Sequence, residues 1–594
     1  MSKRVAILGG GVAGMSAAHE LIERGFNVEV YELCSIPGGK ARSIPKPGSG
    51  VAGRKDLPGE HGFRFFPGFY QHLPDTMKRI PYQNNHKKVF GNLLNASRAL
   101  TARARQTDIV APAHFPTSLD DLATAFEFLF RLNLTIPPEE TLYFVTRLLV
   151  LLTSCEERRF TEYEEMSWWN FVGADTRSDN YKKFVAEATR SLVAARAREI
   201  SARTGGCIAL QLLFELAEPG QPTDRILNGP TNEVWIQPWL DYLQNRGVVY
   251  RIGAEVREIQ CVGKRVTNVT IVENGRASQI EADYYIAALP VEVMQRLVTD
   301  PMKTAEPRLA DLHRLRTAWM NGIQFYLAHD VPIVHGHTLY LDSPWALTSI
   351  SQKQFWPDVD LTRYGDGTVG GILSVDISDW NTPSPRHHKP AKECTPEEIK
   401  DEVWAQLKQH LNDDAVHEIE DTNLVTWSLD PAIVYPHSPT HAENQEPLLI
   451  NTAGSWQHRP EAVTSIENFF LASDYVRTYT DLATMEAANE AARRAVNGIL
   501  HAEGRPSADN CQLWPLKEPE IFKPLRKCDD ALFRVRLPLN KRLPHPLELL
   551  TKNQSLFSYL SRAGLSLLLW WKLPHLPGLS IFDPILNALN ALRR

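Results

Sequence analysis

An α/β fold organised on a parallel sheet is predicted by three features of the first 32 residues: a short apolar strand, a glycine-rich turn opening straight into a helix, and a second strand ending in an acid. The run Val5-Ala6-Ile7-Leu8 is wholly apolar, as a strand covered on both faces must be. Gly9-Gly10-Gly11-Val12-Ala13-Gly14 follows, and residues 15–24 carry helical patterning. Gly9, Gly11 and Gly14 stand at the GxGxxG spacing. The first allows a tight turn, the second lets the backbone approach a pyrophosphate, and the third lets helix and strand pack closely. The helix beginning at Val12 and Ala13 turns free N–H groups and the positive end of its dipole toward that pyrophosphate. Residues 27–31 read as the second strand, and Glu32, 18 residues beyond Gly14, stands where a carboxylate accepts hydrogen bonds from ribose hydroxyls. A glycine-rich loop alone says little. Strand, turn, helix, strand and acid in this order point to a bound dinucleotide.

Composition narrows what the rest of the chain does. At 594 residues, 43% hydrophobic and 23% charged, the chain has the make-up of a globular protein with more than one domain. The net charge of -6, from 70 acidic and 64 basic residues, provides no global positive field, so nucleic acid is not expected as a partner. Seven cysteines (Cys34, Cys155, Cys207, Cys261, Cys394, Cys511, Cys528) are scattered without a CxxC pair, which suits reduced thiols and leaves no metal site expected. The chain passes from Met1-Ser2-Lys3-Arg4 directly into the first strand, so a cytoplasmic protein without a signal peptide is expected. The longest apolar stretches, around residues 148–153 and 563–571, fall short of the ~18 to 20 residues that cross a bilayer.

The identity of the dinucleotide must come from elsewhere, because NAD and FAD share this unit. Gly38-Gly39-Lys40-Ala41-Arg42-Ser43 brings two glycines and two cations close behind Glu32, suited to a chain running beside phosphates. Far away, Asn468-Phe469-Phe470-Leu471-Ala472-Ser473-Asp474-Tyr475 is followed by Ala483-Thr484-Met485-Glu486-Ala487-Ala488. Both segments resemble those of the flavin amine oxidase and carotenoid desaturase superfamily. That resemblance implies FAD, with Gly39, Lys40 and Arg42 beside it, Asp474 accepting from the ribityl chain, and the helix after Thr484 and Met485 pointing its N-terminus at the flavin ring. Ser473, Ala487 and Asn489-Glu490 depart from the superfamily's glycine and Ser-Gly positions. Two further segments fit the same resemblance. Residues 247–256 lead to an adenine contact at Val256, and Ala287-Ala288-Leu289-Pro290 forms a turn near the flavin after a hairpin at Asn274-Gly275.

Gly59-Glu60-His61-Gly62-Phe63-Arg64-Phe65-Phe66-Pro67-Gly68-Phe69-Tyr70 narrows the family further. It resembles the E-x-G-x-x-x-F-F-x-G-x-Y segment of plant- and cyanobacterial-type phytoene and zeta-carotene desaturases, a group also similar to hydroxysqualene dehydroxylases. The resemblance implies a Rossmann-type, glutathione-reductase-like FAD-binding domain interleaved with a substrate domain of mixed sheet plus helices, followed by a C-terminal helical tail. The expected boundaries are 1–115, 226–300 and 451–504 for the FAD-binding parts, 116–225 for a helical substrate region, 301–450 for the substrate sheet, and 505–594 for a proline-punctuated tail.

The implied chemistry is hydride transfer between flavin N5 and a carbon of a long apolar isoprenoid or carotenoid-like lipid, with a quinone or oxygen as electron acceptor. Such a step needs orientation and a dry site more than side-chain chemistry. Gly62, Phe63 and Arg64 are expected beside the flavin, and His61, Arg64 and Tyr70 are the candidate catalytic groups. For His61 a satisfied structural histidine is the equal alternative. Arg64, where the desaturases carry an apolar residue, is expected to face the cavity, where it would anchor a polar end of the substrate. A flavin amine oxidase is the rival reading, weakened because Thr484 stands where those enzymes place a cage tyrosine, with Tyr475 and Tyr479 as substitutes. A redox-neutral lipid isomerase and a non-catalytic flavin-containing lipid-binding protein are further alternatives. In the tail, Trp570-Trp571-Lys572 and Arg593-Arg594 fit a helix lying on the inner or thylakoid-type face of a membrane, against the alternative of a tail packed on its own domain. Trp168, Trp169, Trp345, Phe355 and Trp356 read as core.

Overall fold

Five parallel strands, β1 (Arg4–Leu8), β2 (Asn27–Glu32), β3 (Val249–Ile252), β4 (Tyr284–Ala287) and β5 (Phe469–Leu471), form the sheet that positions the glycine turn. Their order across the sheet is β5-β4-β1-β2-β3, so each of β1, β4 and β5 lies beside a strand far away in sequence, Val5 pairing with Tyr284 and Tyr285 with Phe469. The computed structural model describes residues 2–83, 87–114, 135–186, 195–216, 218, 220, 222–412, 418–535 and 543–550. Val5, Ala6, Ile7 and Leu8 are all buried, as a strand covered on both faces requires.

Helix α1 (Val12–Glu23) covers one face of the sheet, held between α2 (Gln237–Asn245) and α3 (Met485–Ala502). Small residues make the closest contact: Ala17 and Ala18 on α1 and Ala487, Ala491, Ala492 and Ala495 on α3 are fully buried. The Asn489-Glu490 departure from the superfamily pattern has a structural use here. Asn489 Nδ2 donates to Ser16 Oγ at 2.8 Å and Thr76 Oγ1 at 3.0 Å, and Glu490 accepts from the Tyr479 amide at 2.8 Å.

At Gly253 the chain leaves the parallel sheet and enters an antiparallel meander of Ala254–Val262, Arg265–Glu273 and Arg276–Ile280. Residues 247–256, which read as one extended segment, therefore serve two sheets. A third sheet of seven strands carries the second core. Its order is Leu424–Leu429, Asn321–Leu327, Gly371–Ile377, Leu347–Ser351, Thr338–Tyr340, Arg98–Ala102, Ile109–Pro112. Helix Pro396–Leu411, opened by a Thr395/Glu398 capping box, packs into that core beside Trp345 and Trp380.

The chain divides into two compact units, residues 1–137 with 159–517, and residues 138–158 with 518–594. The expected break at 504/505 thus falls after Lys517. Residues beyond 504 stay with the first unit because Asn497 Oδ1 accepts from the Cys511 amide at 2.6 Å and Trp514 N donates to His72 Nε2 at 3.0 Å. Likewise helix Pro138–Thr153, expected in the substrate region, groups with helix Lys523–Arg534. There the buried Arg158 forks onto Asp529 at 2.9 and 3.1 Å, which also accepts from the Cys155 amide at 2.8 Å. The tail segments at 556–571 and 581–594, and residues 118–134 of the helical region, lie outside the described residues. Among the described residues no helix is long and apolar enough to cross a membrane.

Candidate functional site

The glycine turn is held by backbone meeting backbone. Gly9 N donates to Tyr31 O at 2.8 Å, and a Cβ on Gly14 would stand 1.9 Å from the Gly9 carbonyl oxygen, so α1 seats on β1 only through a glycine. The second glycine segment lies against the first. Gly39, at φ 56°, brings its Cα so near Gly11 that a Cβ there would be 2.8 Å from Gly11 Cα. Helix α1 begins after an extended Gly11 with no side-chain cap and no acid in its first turn, leaving the N–H groups around Val12 and Ala13 and the positive dipole end for an anion.

Glu32 is buried, and its carboxylate accepts from the Gly10 amide at 2.7 Å and the Cys34 amide at 2.8 Å. The acid therefore closes the turn as well as standing where a ribose is expected. Sequence reasoning missed Tyr250, whose hydroxyl donates to the Gly10 carbonyl at 2.5 Å from neighbouring strand β3. Burial pushes this phenol well above its ordinary value, so it stays protonated. An uncapped helix end, a backbone cradle that excludes Cβ atoms and a terminal carboxylate fit a dinucleotide. Val256 is half-buried in the meander beside this core, and Ala288 is buried with its amide donating to Leu8 O at 2.7 Å.

The cations behind the turn are placed differently from expectation. Arg42 forks onto Glu446 at 2.7 and 3.1 Å and donates to Gly39 O at 2.8 Å, while Lys40 Nζ pairs with Glu292 at 3.0 Å and with the Pro447 carbonyl. Carboxylates distant in sequence thus neutralise both charges, and the field offered to phosphate comes from the helix end. Arg64 also corrects the expectation that it faces the cavity. Its guanidinium donates to the carbonyls of Lys40, Ala41 and Arg42 at 3.0, 3.1 and 3.2 Å, because a buried guanidinium is satisfied by that turn of exposed carbonyls.

At the same carboxyl edge of the sheet as the glycine turn, Asp474 is half-buried just beyond β5. Its loop is stapled by buried Arg459, which donates to the carbonyls of Asp474, Tyr475 and Val476 at 2.5, 3.0 and 2.9 Å and pairs with Asp481. Asp481 sits at φ 45° and is also engaged by Arg203 and by Thr204 Oγ1 at 2.7 Å. Three residues on, Thr484 caps α3 by accepting from the Ala487 amide at 3.2 Å, and Met485 is the first helical residue. Glu486 accepts from the amides of Gln71, His72 and Leu73 at 2.7, 2.7 and 2.9 Å, tying the end of the Gly59–Tyr70 segment to this helix.

Within that segment His61 Nδ1 lies 2.7 Å from Asp430 and 3.6 Å from Glu446. Burial tends to raise Asp430, but His61, the Ala432 amide and Asn321 outweigh it and hold the carboxyl below its ordinary range. Gly62 packs where a Cβ would meet Asp376 Oδ1 at 2.7 Å, and the Phe63 ring lies tilted by 53° against His337 with centroids 4.8 Å apart. Burial pushes both Glu60 and Asp376 up to about 7, against the pull of Arg64. Between the ordinary carboxylate values and about 7 the native protein therefore holds more protons than the unfolded chain, and stability falls as pH rises across that window. The slope is roughly 1.4 kcal/mol per pH unit for each carboxyl. Glu60→Gln is expected to flatten the fall in thermal midpoint between pH ~5 and ~7. An unchanged profile in this variant would exclude Glu60 as its source.

Phe65, Pro67, Phe69 and Tyr70 form one wall of a cavity of about 100 Å³, completed by Ile208, Leu212, Leu448, Leu449, Asn451, Leu482 and Thr484 among others. Tyr70 is buried, and its hydroxyl meets the Thr484 side chain. Of the three candidate catalytic groups, only Tyr70 lines this space.

A model of the family described as flavin containing amine oxidoreductase matches residues 12–500. The chain is 25% identical over 552 residues to a probable zeta-carotene desaturase of Synechococcus elongatus, covering 84% of this chain and 99% of that one. It is equally 25% identical over 541 residues to the 15-cis-phytoene desaturase of the same organism, covering 85% and 99%. Among solved structures, cyclohexylamine oxidase from Brevibacterium oxydans superposes with a TM-score of 0.56 at 13% identity, over 85% of this chain and all of that one. Putrescine oxidase gives 0.53 at 15% over 85% and 100%, so these two share the fold. The match across nearly all of the first unit decides the matter: the chain belongs to the flavin containing amine oxidoreductase family, and FAD is its cofactor.

Proposed function

We propose that this protein is an FAD-dependent oxidoreductase that moves hydride to or from a long apolar isoprenoid or carotenoid-like lipid. The observation that carries this reading is the cavity wall, which is aromatic and aliphatic apart from Tyr70, Asn451 and Thr484 and includes no charged side chain. An amine would enter as a cation, and burying a cation without a counter-charge is costly. Tyr475 is buried and Tyr479 is 45% exposed, and neither lines the cavity in place of the missing cage tyrosine. Bound FAD supplies the hydride-exchanging ring. The chain's own part is to orient an apolar substrate between Phe65, Phe69 and Leu482, to exclude water, and to keep the Tyr70 hydroxyl protonated, since burial raises its pKa.

Holoenzyme mixed anaerobically with a panel of isoprenoids, hydrocarbon and oxygenated, is expected to lose its visible flavin absorbance, while cyclohexylamine and putrescine leave it oxidised. Bleaching by an amine and by no isoprenoid would overturn the reading. Product of unchanged mass would assign redox-neutral isomerisation instead. Re-oxidation by added quinone or by oxygen identifies the acceptor class, and flotation of the same holoenzyme with phospholipid vesicles tests whether the chain docks on a bilayer where such a substrate dissolves.

A further inference from the structure

One buried cation of the first unit has no counter-ion. Arg42, Arg158, Arg203, Arg459 and Arg493 are buried, and each pairs with a carboxylate. Arg225 opens the strand Arg225–Leu227 and is 8% exposed, yet among the described residues its guanidinium forms no ion pair and donates no hydrogen bond. It lies over the Phe90 ring, 5.8 Å from the centroid. Burial works against its charge, and Glu215 is the strongest of the carboxylates opposing that effect, ahead of Asp224 and Glu486. Asp224 is committed to His337, and Glu486 to His72 and three backbone amides. Glu215 is the mirror case. It is 1% exposed, forms no ion pair among the described residues, and leaves Oε2 without a partner. Burial pushes its carboxyl up to about 8, against the pull of Lys517 and Arg225 and with a push from Glu218, to which Lys517 is already paired. At neutral pH Glu215 therefore keeps its proton, and the Arg225 charge stays uncompensated, an arrangement that is costly unless an anion completes it.

The two side chains stand directly behind the cavity wall. Ile208 and Leu212 line the cavity, and Glu215 follows on the same stripe of helix Ala202–Leu216, one turn beyond Leu212. Pro67 and Phe69 line it as well, and at Gly68 between them an added Cβ would stand 2.7 Å from Glu215 Oε1. Phe66 exchanges backbone hydrogen bonds with Arg225 at 3.1 and 3.2 Å. A guanidinium offers a planar fork that matches a carboxylate, and a protonated carboxyl has one O–H to donate beside it. An ammonium ion would be repelled by Arg225, and a neutral group would leave its charge unmatched.

We propose that Arg225 and Glu215 form a carboxylate-binding subsite beside the apolar cavity, and that it takes a long-chain acid whose carboxylate accepts from the Arg225 fork and from the Glu215 hydroxyl while its chain lies along the cavity. The inference rests on the reading of the cavity as a site for a long apolar isoprenoid. Its test is the binding of geranylgeranoic acid, its methyl ester and sodium acetate to oxidised holoenzyme, followed by perturbation of the flavin absorbance. The ester keeps the chain and removes the charge; acetate keeps the charge and removes the chain. At pH ~7 the wild-type protein is expected to bind the acid at least ~10-fold more tightly than the ester, and Arg225→Gln brings that ratio near one. Above pH ~8 the preference for the acid falls, because Glu215 loses its proton and sets a second carboxylate against the ligand. A ratio unchanged from pH ~7 to ~9 overturns the assignment of Glu215. Ligand-free Arg225→Gln is expected to melt no lower than wild type, since it removes a buried charge that has no partner. A midpoint well below wild type, or failure to fold, would make Arg225 a structural cation and overturn the proposal, as would acetate binding as tightly as the acid. Equal wild-type binding of acid and ester overturns this inference and leaves the isoprenoid reading standing, whereas binding of neither removes both.

Discussion

Replacing Asp481 by asparagine lowers stability by about 3–5 kcal/mol, as expected when one partner of a buried ion-pair cluster loses its charge. In a chain this large the cost appears as a fall of thermal midpoint on the order of 5 °C. Asp481 is 3% exposed and is shared by two buried guanidiniums. Arg203 keeps a second partner in Glu164 at 3.0 Å, but Arg459 makes no other salt bridge among the described residues. Burial already works against the Arg459 charge, and Asp481 is the nearest group opposing that effect. Its remaining donors hold the carbonyls of Asp474, Tyr475 and Val476, so a guanidinium that shifts to find water takes the Asp474 loop with it. The variant is therefore expected to lose FAD on gel filtration as well as stability, although Asp481 lies seven residues beyond Asp474. Wild-type midpoint together with wild-type flavin content would show that the cluster is not coupled to the cofactor loop.

None of that cluster was legible in the sequence, and the reason is physical. Local rules see periods of two and 3.6 residues and turn chemistry, so β1, α1, β2 and the Asn274-Gly275 hairpin could be read within a few residues of their observed bounds. Partners separated by hundreds of residues leave no such trace. Arg42 looked like a phosphate ligand because its partner Glu446 lies 404 positions away, and Arg64 looked like a cavity residue because nothing near it in sequence offers three bare carbonyls. Tyr250 could be read as a strand residue but not as the lid on Gly10, since that depends on which strand lies beside β2. The motif at residues 59–70 carried the most information. It predicted a site segment, and Phe65, Pro67, Phe69 and Tyr70 do line the cavity. The opposite wall, from Asn451 and Leu482, had no signal beyond its nearness to the motif around Asp474.

The glycine turn separates folding from cofactor binding, because its glycines meet different obstacles. At Gly14 an added Cβ would lie 1.9 Å from the Gly9 carbonyl oxygen and 3.0 Å from its carbon, both backbone atoms that no rotamer change can move. Gly14→Ala therefore has to lift α1 from β1, in a core where overpacking costs about 1–3 kcal/mol or more, and the expected product is colourless and poorly folded. At Gly11 the same methyl finds Gly39 Cα at 3.5 Å, an ordinary contact, and the residue's φ of -71° suits alanine. The Gly11→Ala apoprotein is thus expected to melt within about 1 °C of the wild-type apoprotein, since nothing in the fold resists the methyl. Yet Gly11 is the glycine whose bare backbone faces the uncapped N-terminus of α1, where a pyrophosphate must come within hydrogen-bonding distance. FAD affinity should fall at least ~10-fold, about 1.4 kcal/mol, in a protein whose fold is intact. Titration of the two apoproteins with FAD, read alongside their melting curves, checks this. Wild-type affinity in Gly11→Ala would mean that the phosphates do not approach the backbone at Gly11, whatever the spacing of the glycines.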